Sequence, residues 1–555
     1  MAIFEKLSQI KHIQDDTDTL VCTLENAQNI NKHTEYILRV QKGPSKENKW
    51  TVSRRYRDFA SLHLSIQQAY IDLPLPPKKL IGNMQPSFIA ERQVALQQYI
   101  NEILKYQILA LSLPVRRFLD PCSYPLHLAE EALQTVSIAL RGDGQYELKG
   151  PLHSINWRIR KHYFHVVDSK RTNCLLVWQS YGPDKHLHNK DLQIALKSMQ
   201  SLSHPFIGEI LTFHILESGA FVVRQLHEKG TMRDLLYGTE YDKSYLAKYG
   251  NPKVRKPFTT GQIAHYGYQI LQALKFLHDK GLPHGHVHPG NIVIENQRAR
   301  LTDTENILFG VASVHRPYLR ELRRASSEAI DVYGFGRTLY EMVYAEVLDG
   351  CYCDKLDSNA FSQSFDDLES ILHLTLSRSS WKRGGATLDE LLQHPFFIRA
   401  LNGLVERDVK GHLKFPLTLK EQIKEAALRV ETRLKTDQKL SRTARREVRI
   451  QEILGSDEEM KKQRRRAKKR DSMWKSTSSL AETVRSQSAS TTSSPTPPAT
   501  PPKFLRKTPR VMRGHEFPTG DSSGASLPAA GEGRGALLQA ICSFNKKSLA
   551  RVGSR

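Results

Sequence analysis

No run of about 18 apolar residues occurs in the chain, so the sequence offers no candidate membrane-spanning helix. Met1-Ala-Ile-Phe-Glu-Lys6 lacks the apolar core of a secretory leader, which sets the expectation of a chain that is not exported. Cysteine is scarce: six among 555 residues, at Cys22, Cys122, Cys174, Cys351, Cys353 and Cys542. None forms a C-x-x-C pair, and Cys351-Tyr-Cys353 has no second half of a zinc site. That pattern argues against a disulfide framework and fits a reducing, cytosolic compartment. Hydrophobic residues make up 39%, enough for packed cores in part of the chain only, with room for two or three domains and tails. Acidic residues are outnumbered, 58 against 81 Lys+Arg, a net +23. The excess is uneven, since residues 401–555 hold 33 Lys+Arg and 16 Asp+Glu, a net +17. A basic tail suits acidic membrane surfaces, acidic protein surfaces or nucleic acid. Aromatics do not interleave its charges, which disfavours nucleic acid.

Three strand-like segments come first: Thr19-Leu-Val-Cys-Thr-Leu24, His33-Thr-Glu-Tyr-Ile-Leu-Arg-Val40 and Trp50-Thr-Val-Ser-Arg-Arg-Tyr56. Turn-formers separate them, as in a three-stranded meander. Arg54-Arg-Tyr-Arg-Asp-Phe59 runs into an amphipathic helix, then Leu73-Pro-Leu-Pro-Pro-Lys-Lys79 forms a proline-rich loop. A second helix is predicted from Pro86 to Leu104. This order resembles a PX (phox homology) domain over residues 15–125: R-R-Y-x-x-F, a proline loop with lysine, then F-I-x-E-R. By that resemblance Arg55 binds the 3-phosphate of a phosphatidylinositol and Tyr56 forms the floor under the inositol ring. Lys79 meets the phosphate joining ring to glycerol, and Arg92 bonds the ring hydroxyls. Lys78 is the register alternative to Lys79, and Arg54 and Arg57 are expected to be structural. A guanidinium fork matches phosphate oxygens in pairs, so the chemistry agrees. Leu80-Ile-Gly-Asn-Met84 supplies an apolar tip for the bilayer interface.

After a junction at 126–147, the stretch His284-Gly-His-Val-His-Pro-Gly-Asn-Ile-Val-Ile294, followed by Asp303-Thr-Glu305, resembles a protein-kinase catalytic core. That core reads H-R-D-L-x-x-x-N and then D-F-G. His284, Asn291 and Asp303 keep the framework, but His286 stands at the catalytic Asp position, His288 at the loop's basic position, and Glu305 at the glycine. Flanking segments resemble further kinase landmarks, among them Leu202-Ser-His-Pro-Phe-Ile207, Gly230-Thr-Met-Arg-Asp-Leu-Leu236, Asp331-Val-Tyr-Gly-Phe-Gly336 and Thr387–Phe397. Their order supports a bilobal kinase-like domain at 148–400.

The phosphate-handling half departs from the pattern. No G-x-G-x-x-G lies between residues 148 and 180. Leu175-Leu-Val-Trp178 puts Trp178 at the lysine position, and counting back from His204-Pro205 puts Ala195 at the partner glutamate. An active kinase needs that Lys–Glu pair in place. Lys185 lies beyond the strand, and Lys197 sits about 200° around the helix from Ala195, so both are poor substitutes. Glu328 stands three residues before Asp331, so the usual A-P-E region is also missing. The expectation is a pseudokinase, with residual nucleotide or metal binding at Asn291 and Asp303 open beside a purely structural role.

Leu419, Ile423, Ala427, Val430 and Leu434 mark an amphipathic helix over 416–454, expected to pack on the kinase-like domain. Residues 455–530 read as a basic, Ser/Thr/Pro-rich disordered tail. Lys461-Lys-Gln-Arg-Arg-Arg-Ala-Lys-Lys-Arg470 is basic at eight positions in ten. It fits an anionic-lipid patch, a nuclear import signal or a solvated run. Ser456 in its acidic setting, and Ser494, Thr496 and Thr500 before prolines, are candidate phosphosites; Pro495–Pro502 offers an SH3-type ligand. Residues 531–553 resemble a WH2 actin-binding motif, with Leu537, Leu538, Ile541 and Leu549 as anchors and Ala550 in place of its first lysine.

The whole order resembles the PX domain-containing kinase-like family. The fold class expected is α+β multidomain: a PX domain, a bilobal kinase-like fold and a disordered basic tail. The resemblance implies a non-catalytic phosphoinositide-binding adaptor in the cytoplasm, peripheral on endosomal or plasma membrane. It implies roles in receptor traffic and in regulating the sodium pump through its β-subunit, with actin and SH3 proteins as further partners and no required cofactor. The alternative is an atypical kinase using Asn291 and Asp303 for metal-ATP and His286 as base.

Overall fold

Period-two burial sets the first sheet of the computed structural model. In β1 (Leu20–Ile30), Leu20, Cys22 and Leu24 turn inward and their neighbours outward. β2 (His33–Lys42) and β3 (Lys49–Arg55) follow antiparallel, in the order β1-β2-β3. The chain runs straight from β3 into α1 (Tyr56–Ile66), whose stripe of Phe59, Leu62 and Ile66 is buried. A bulge between Leu24 and Asn26 is where α2 (Pro86–Lys105) docks. Leu24 N donates to Gln97 Oε1 at 2.7 Å, and the amides of Gln97 and Gln93 donate to the carbonyls of Cys22 and Leu24 at 3.0 and 3.1 Å. α3 (Gln107–Ala110) and α4 (Leu113–Leu119) close this core, with Phe118 edge-on to Phe59 at 4.9 Å.

The structure describes residues 15–30, 33–78, 84–125, 127–152, 155, 158–354, 365–400, 409–455, 460–462, 464–466 and 468. Lys79, most of the apolar tip after it and the WH2-like anchors Leu537, Leu538, Ile541 and Leu549 lie outside the described residues.

The junction at 126–147 is a packed element rather than a spacer. It contains α5 (Leu128–Asp143), which ends at Gly144 in a left-handed cap and buries Ala132, Val136 and Leu140. These side chains cover one face of a five-stranded antiparallel sheet. That sheet comprises β4 (Tyr146–Pro151), β5 (Lys161–Asp168), β6 (Asn173–Ser180), β7 (Thr212–Ile215) and β8 (Gly219–Gln225), in the order β4-β5-β6-β8-β7. α6 (Asn189–Gln200) packs on its other face through Leu192, Ala195, Leu196 and Met199.

The large lobe is helical. α7 (Met232–Leu236) and α8 (Tyr245–Tyr249) lead to α9 (Thr260–Asp279). The hairpin of β9 (Ile292–Glu295) and β10 (Arg298–Leu301) follows. After the short α10 (Arg316–Leu319) comes α11 (Ser327–Tyr344), almost wholly buried. α12 (Phe365–Leu376), α13 (Arg378–Arg383), α14 (Leu388–Leu392) and α15 (Pro395–Ala400) complete the lobe. α16 (Leu417–Gly455) lays Leu419, Ile423, Ala426 and Leu434 into the same apolar cluster.

The meander domain and the kinase-like lobes belong to one compact unit that runs to Ala444. Leu246 of α8 sits in the apolar core of the meander domain. A Cβ on Gly250 would meet the carbonyl oxygen of Ala69 at 2.4 Å. Tyr318 OH donates to Gln107 Oε1 at 3.0 Å, and Asp15 and Asp18 face Arg316 and Arg320. Arg433 of α16 bridges Asp15 and Asp184. The second unit, from Arg445, is described only for exposed helical turns. Among the described residues, no helix is long and apolar enough to cross a membrane.

Candidate functional site

Two places collect the residues singled out in the sequence. The first lies where β3 passes into α1. Strand alternation sends Arg54 and Arg55 to opposite sides. Arg54 turns inward, where Nε and Nη2 donate to the carbonyl of Phe118 at 2.9 and 2.6 Å. Arg55 turns outward, about a third exposed, with Nε 3.7 Å from Glu35. Its backbone N–H donates to Asp58 Oδ2 at 2.8 Å, which fixes the strand-to-helix corner. Arg57 is mostly exposed beside Asp58.

Tyr56 and Arg92 come together on the proline loop. Tyr56 OH donates to the carbonyl of Pro76 at 2.6 Å, and Arg92 Nη2 to that of Pro77 at 2.9 Å. The Arg92 guanidinium carbon lies 4.4 Å from the centre of the Tyr56 ring and 4.2 Å from that of Phe88, a cation held between two π-faces. Arg92 Nε is buried with no hydrogen-bond partner. Lys78, next along the loop, is exposed.

The second place is the cleft between the kinase-like lobes. Asp331 of α11 is wholly buried and organises the loop at its floor. It accepts from the backbone N–H groups of His284 and Gly285 at 2.9 and 2.6 Å and meets His278 Nε2 at 2.7 Å. His284 Nε2 lies 2.8 Å from the Thr302 carbonyl, and His284 Nδ1 accepts from His286 N at 3.1 Å. His288 Nδ1 accepts from Gly290 N, and Asn291 Nδ2 donates to the His286 carbonyl at 3.0 Å. The loop therefore uses the Asn291 amide to hold its own backbone. Burial first, then the charge of Arg158, pushes His286 well below the usual histidine range, so its imidazole is neutral.

Asp303 has a left-handed backbone, φ 61°, unusual for a residue with a Cβ and frequent at functional turns. Its carboxylate pairs with Lys161 of β5, and both are buried. Burial opposes ionisation of Asp303, yet Lys161 and then Arg224 hold it below the usual carboxylate range. Two residues on, the buried Glu305 pairs with Arg224 of β8. Both carboxylates of the D-T-E segment are thus neutralised from the small lobe.

Lys161 and Arg224 were missed by the sequence reading, which searched β6 for a lysine. In β8 a signal was present, one cation near the end of a largely apolar strand, whereas β5 carries two histidines and an aspartate besides Lys161 and gave none. The structure also corrects the register on β6. Leu175 and Val177 line the cleft, whereas Trp178 lies on the opposite face with α5, its Nε1 buried without a partner. Ala195 is buried on α6. Lys197 is exposed, and Lys185 bonds Asn189 at 2.8 Å over the Tyr181 ring, away from Asp303. Among the described residues, no group of three or more His, Cys, Asp or Glu is placed to hold a metal ion.

Comparison with known proteins supports both halves. The PX domain model matches residues 43–122 and the protein kinase domain model residues 182–397, the latter starting only after β6. The chain is 32% identical over 235 residues to Slowpoke-binding protein of Drosophila melanogaster, covering 40% of this chain and 45% of that one. It is 26% identical over 293 residues to a Dictyostelium discoideum protein named probable inactive serine/threonine-protein kinase slob1, covering 46% and 48%. A Mus musculus PX domain-containing protein kinase-like protein is 41% identical over 454 residues, covering 81% of this chain and 77% of that one. With both modules present in this order and that identity across most of each sequence, the chain belongs to the PX domain-containing protein kinase-like protein family.

Proposed function

We propose that the chain is a non-catalytic adaptor that docks on phosphoinositide-bearing membranes through Arg55, Tyr56, Arg92 and Lys79 and presents its kinase-like lobes to protein partners. The observation that carries this reading is the pairing of Asp303 with Lys161 and of Glu305 with Arg224 inside the cleft. In an active kinase that aspartate holds a metal ion against ATP; here it is occupied by a tethered ammonium. A general base works best with a pKa near the operating pH, and His286 is buried and held well below it. On the lipid side, support comes from the outward guanidinium of Arg55 beside Tyr56.

Peripheral attachment suits a chain with a PX module. Membrane-protein cargo such as a receptor or the sodium pump β-subunit, endosomal traffic, actin binding through Leu537, Leu538, Ile541 and Leu549, and SH3 contacts are finer parts of this proposal. The name of Slowpoke-binding protein, a relative over 40% of this chain, points the same way toward a membrane-protein partner. Lys161 also favours a second reading: a lysine beside Asp303 is what a residual ATP site would need, even though it arrives from the neighbouring strand.

Liposome co-sedimentation across phosphoinositides, wild type against Arg55→Ala, tests the first reading. Loss of 3-phosphate-dependent binding in the variant is expected. Equal binding by both proteins would move membrane attachment to the basic tail. A thermal shift with Mg²⁺-ATP that disappears in Asp303→Ala, together with phosphate transfer that needs His286, would establish the second reading instead.

A further inference from the structure

A cavity of about 820 Å³ opens on the seam between the PX module and the kinase-like lobes. Sites for small organic ligands have volumes of about 300–1,000 Å³ and favour such seams. α3 and the start of α4 form one wall; α8, α11 and the turn at His288 form the other. Leu111, Leu113 and Val314 are half-buried on these walls and belong to none of the three apolar cores. Val347, also on the lining, is 48% exposed. The walls therefore carry apolar surface that the fold itself leaves uncovered.

The floor is charged. Arg337 of α11 is buried, with its guanidinium carbon 4.0 Å from the centre of the Tyr318 ring. It donates to the carbonyls of Leu348 and Gly350 at 2.6 and 2.7 Å and to the Tyr333 hydroxyl at 3.2 Å. Among the described residues these neutral groups, and no carboxylate, are its hydrogen-bond partners. Buried charges are normally paired with an opposite charge. The other lining cations are engaged: Arg233 with Glu341 at 2.6 and 2.7 Å, Arg255 with Glu346, Lys105 with Glu102 at 3.3 Å, and Arg158 with the Ala312 carbonyl at 2.9 Å. Burial holds His288 and His315 below the usual histidine range, so neither adds charge at neutral pH. Five cations thus line the cavity against three carboxylates, of which Asp349 is exposed to water. That excess is too small for a polyphosphate, and a neutral ligand would leave Arg337 uncompensated. We infer that the seam is a binding site for a small amphipathic acid, its carboxylate set against Arg337 and its apolar body against Leu111, Leu113 and Val314. This site stands whether or not the corner at Arg55 takes a lipid.

Both modules supply walls, so an occupant binds the folded, docked chain and not the unfolded one, and raises its melting midpoint. The test is a thermal melt of the full chain with decanoate below its micelle-forming concentration, with decanol, and with inorganic phosphate. Decanoate should raise the midpoint by about 2 °C or more at saturation. Decanol should need about tenfold more to match it, and phosphate should have no effect. Leu111→Trp fills the cavity from a position outside every core. It should abolish the decanoate shift and leave the midpoint of the ligand-free chain in place. Arg337→Met should lower the decanoate response to that of decanol; if this variant fails to fold, Leu111→Trp and the decanol arm still decide. Equal shifts by decanoate and decanol would overturn the role of Arg337. A shift that survives Leu111→Trp would put the acid elsewhere, and one matched by phosphate would be a general anion effect. No shift with decanoate would leave a cavity that holds only water. Each of these outcomes overturns the inference.

Discussion

His286, His288 and His315 are buried neutral bases around the catalytic loop. His286 and His288 are pushed well below the usual range, by burial first and by nearby arginines next, and His315 falls to about 3 through burial and Arg337. In the unfolded chain each regains a pKa of about 6.5. Below that value the unfolded state binds protons that the folded state refuses, so stability falls as pH falls. At pH 5.5 each group costs about 1.4 kcal/mol, roughly 4 kcal/mol for the three together. His278, raised against its burial by the bond to Asp331, works in the opposite sense and recovers part of this. Urea melts between pH 7.5 and 5.5 should show the loss, and His288→Asn, which keeps an acceptor for Gly290 N, should remove about 1.4 kcal/mol of it. A slope unchanged by that variant would mean that the titration lies elsewhere.

At the scale of elements, the cleft is held by two side chains reaching from the small lobe to the D-T-E segment. Lys161→Met leaves the buried Asp303 uncompensated, and losing one partner of a buried pair costs about 3–5 kcal/mol. Adding Asp303→Asn should restore most of that loss, and a double-mutant cycle by chemical denaturation reads the coupling directly. If the single and double variants are equally unstable, the pair is not what holds the cleft. This pair also marks the limit of the sequence. The loop from His284 to Asn291 was legible because its spacing along the chain is its geometry, whereas Asp331 was placed on its helix by motif and its hold on the loop, 47 positions away, was not read. The R-R-Y corner was legible for the same reason as the loop, down to the inward Arg54 and the outward Arg55. Lys161 was not, because its partner is 142 positions away and only strand pairing brings them together. Trp178 was placed in the cleft by counting from a motif too degraded to fix the face of its strand. α5 was read as a junction because its stripe of Ala132, Val136 and Leu140 is short and gains meaning only against the sheet it covers.

On the scale of the whole molecule, the PX module and the kinase-like lobes share one compact unit, and Gly250 marks a close approach between them. Its φ is ordinary for any residue, so a side chain there is excluded by the carbonyl of Ala69 and not by the backbone. Ser244 and Asn251 flank it with bonds to Gln68 Oε1 at 2.8 Å and to the Tyr70 carbonyl at 2.9 Å. All three receiving positions lie just beyond α1, in the 3-10 turn Gln67–Ala69 and its cap Tyr70 that directly follow the helix starting at Tyr56. The floor of the candidate lipid site and the docking edge are therefore opposite ends of one short rigid segment. Gly250→Val should part the modules here and draw Leu246 out of the meander core, leaving the core of the kinase-like lobes intact. The expected outcome is a single cooperative melt splitting into two, with faster proteolysis near residues 67–70 and an enlarged radius of gyration by small-angle scattering. Lipid binding through Arg55 should persist in that variant, because nothing at the corner of Arg55, Tyr56 and Arg92 touches Gly250. One melt as cooperative as wild type would mean that the contact around Ala69 does not hold the modules together, and that the ion pairs of Asp15 and Asp18 with Arg316, Arg320 and Arg433 do so instead.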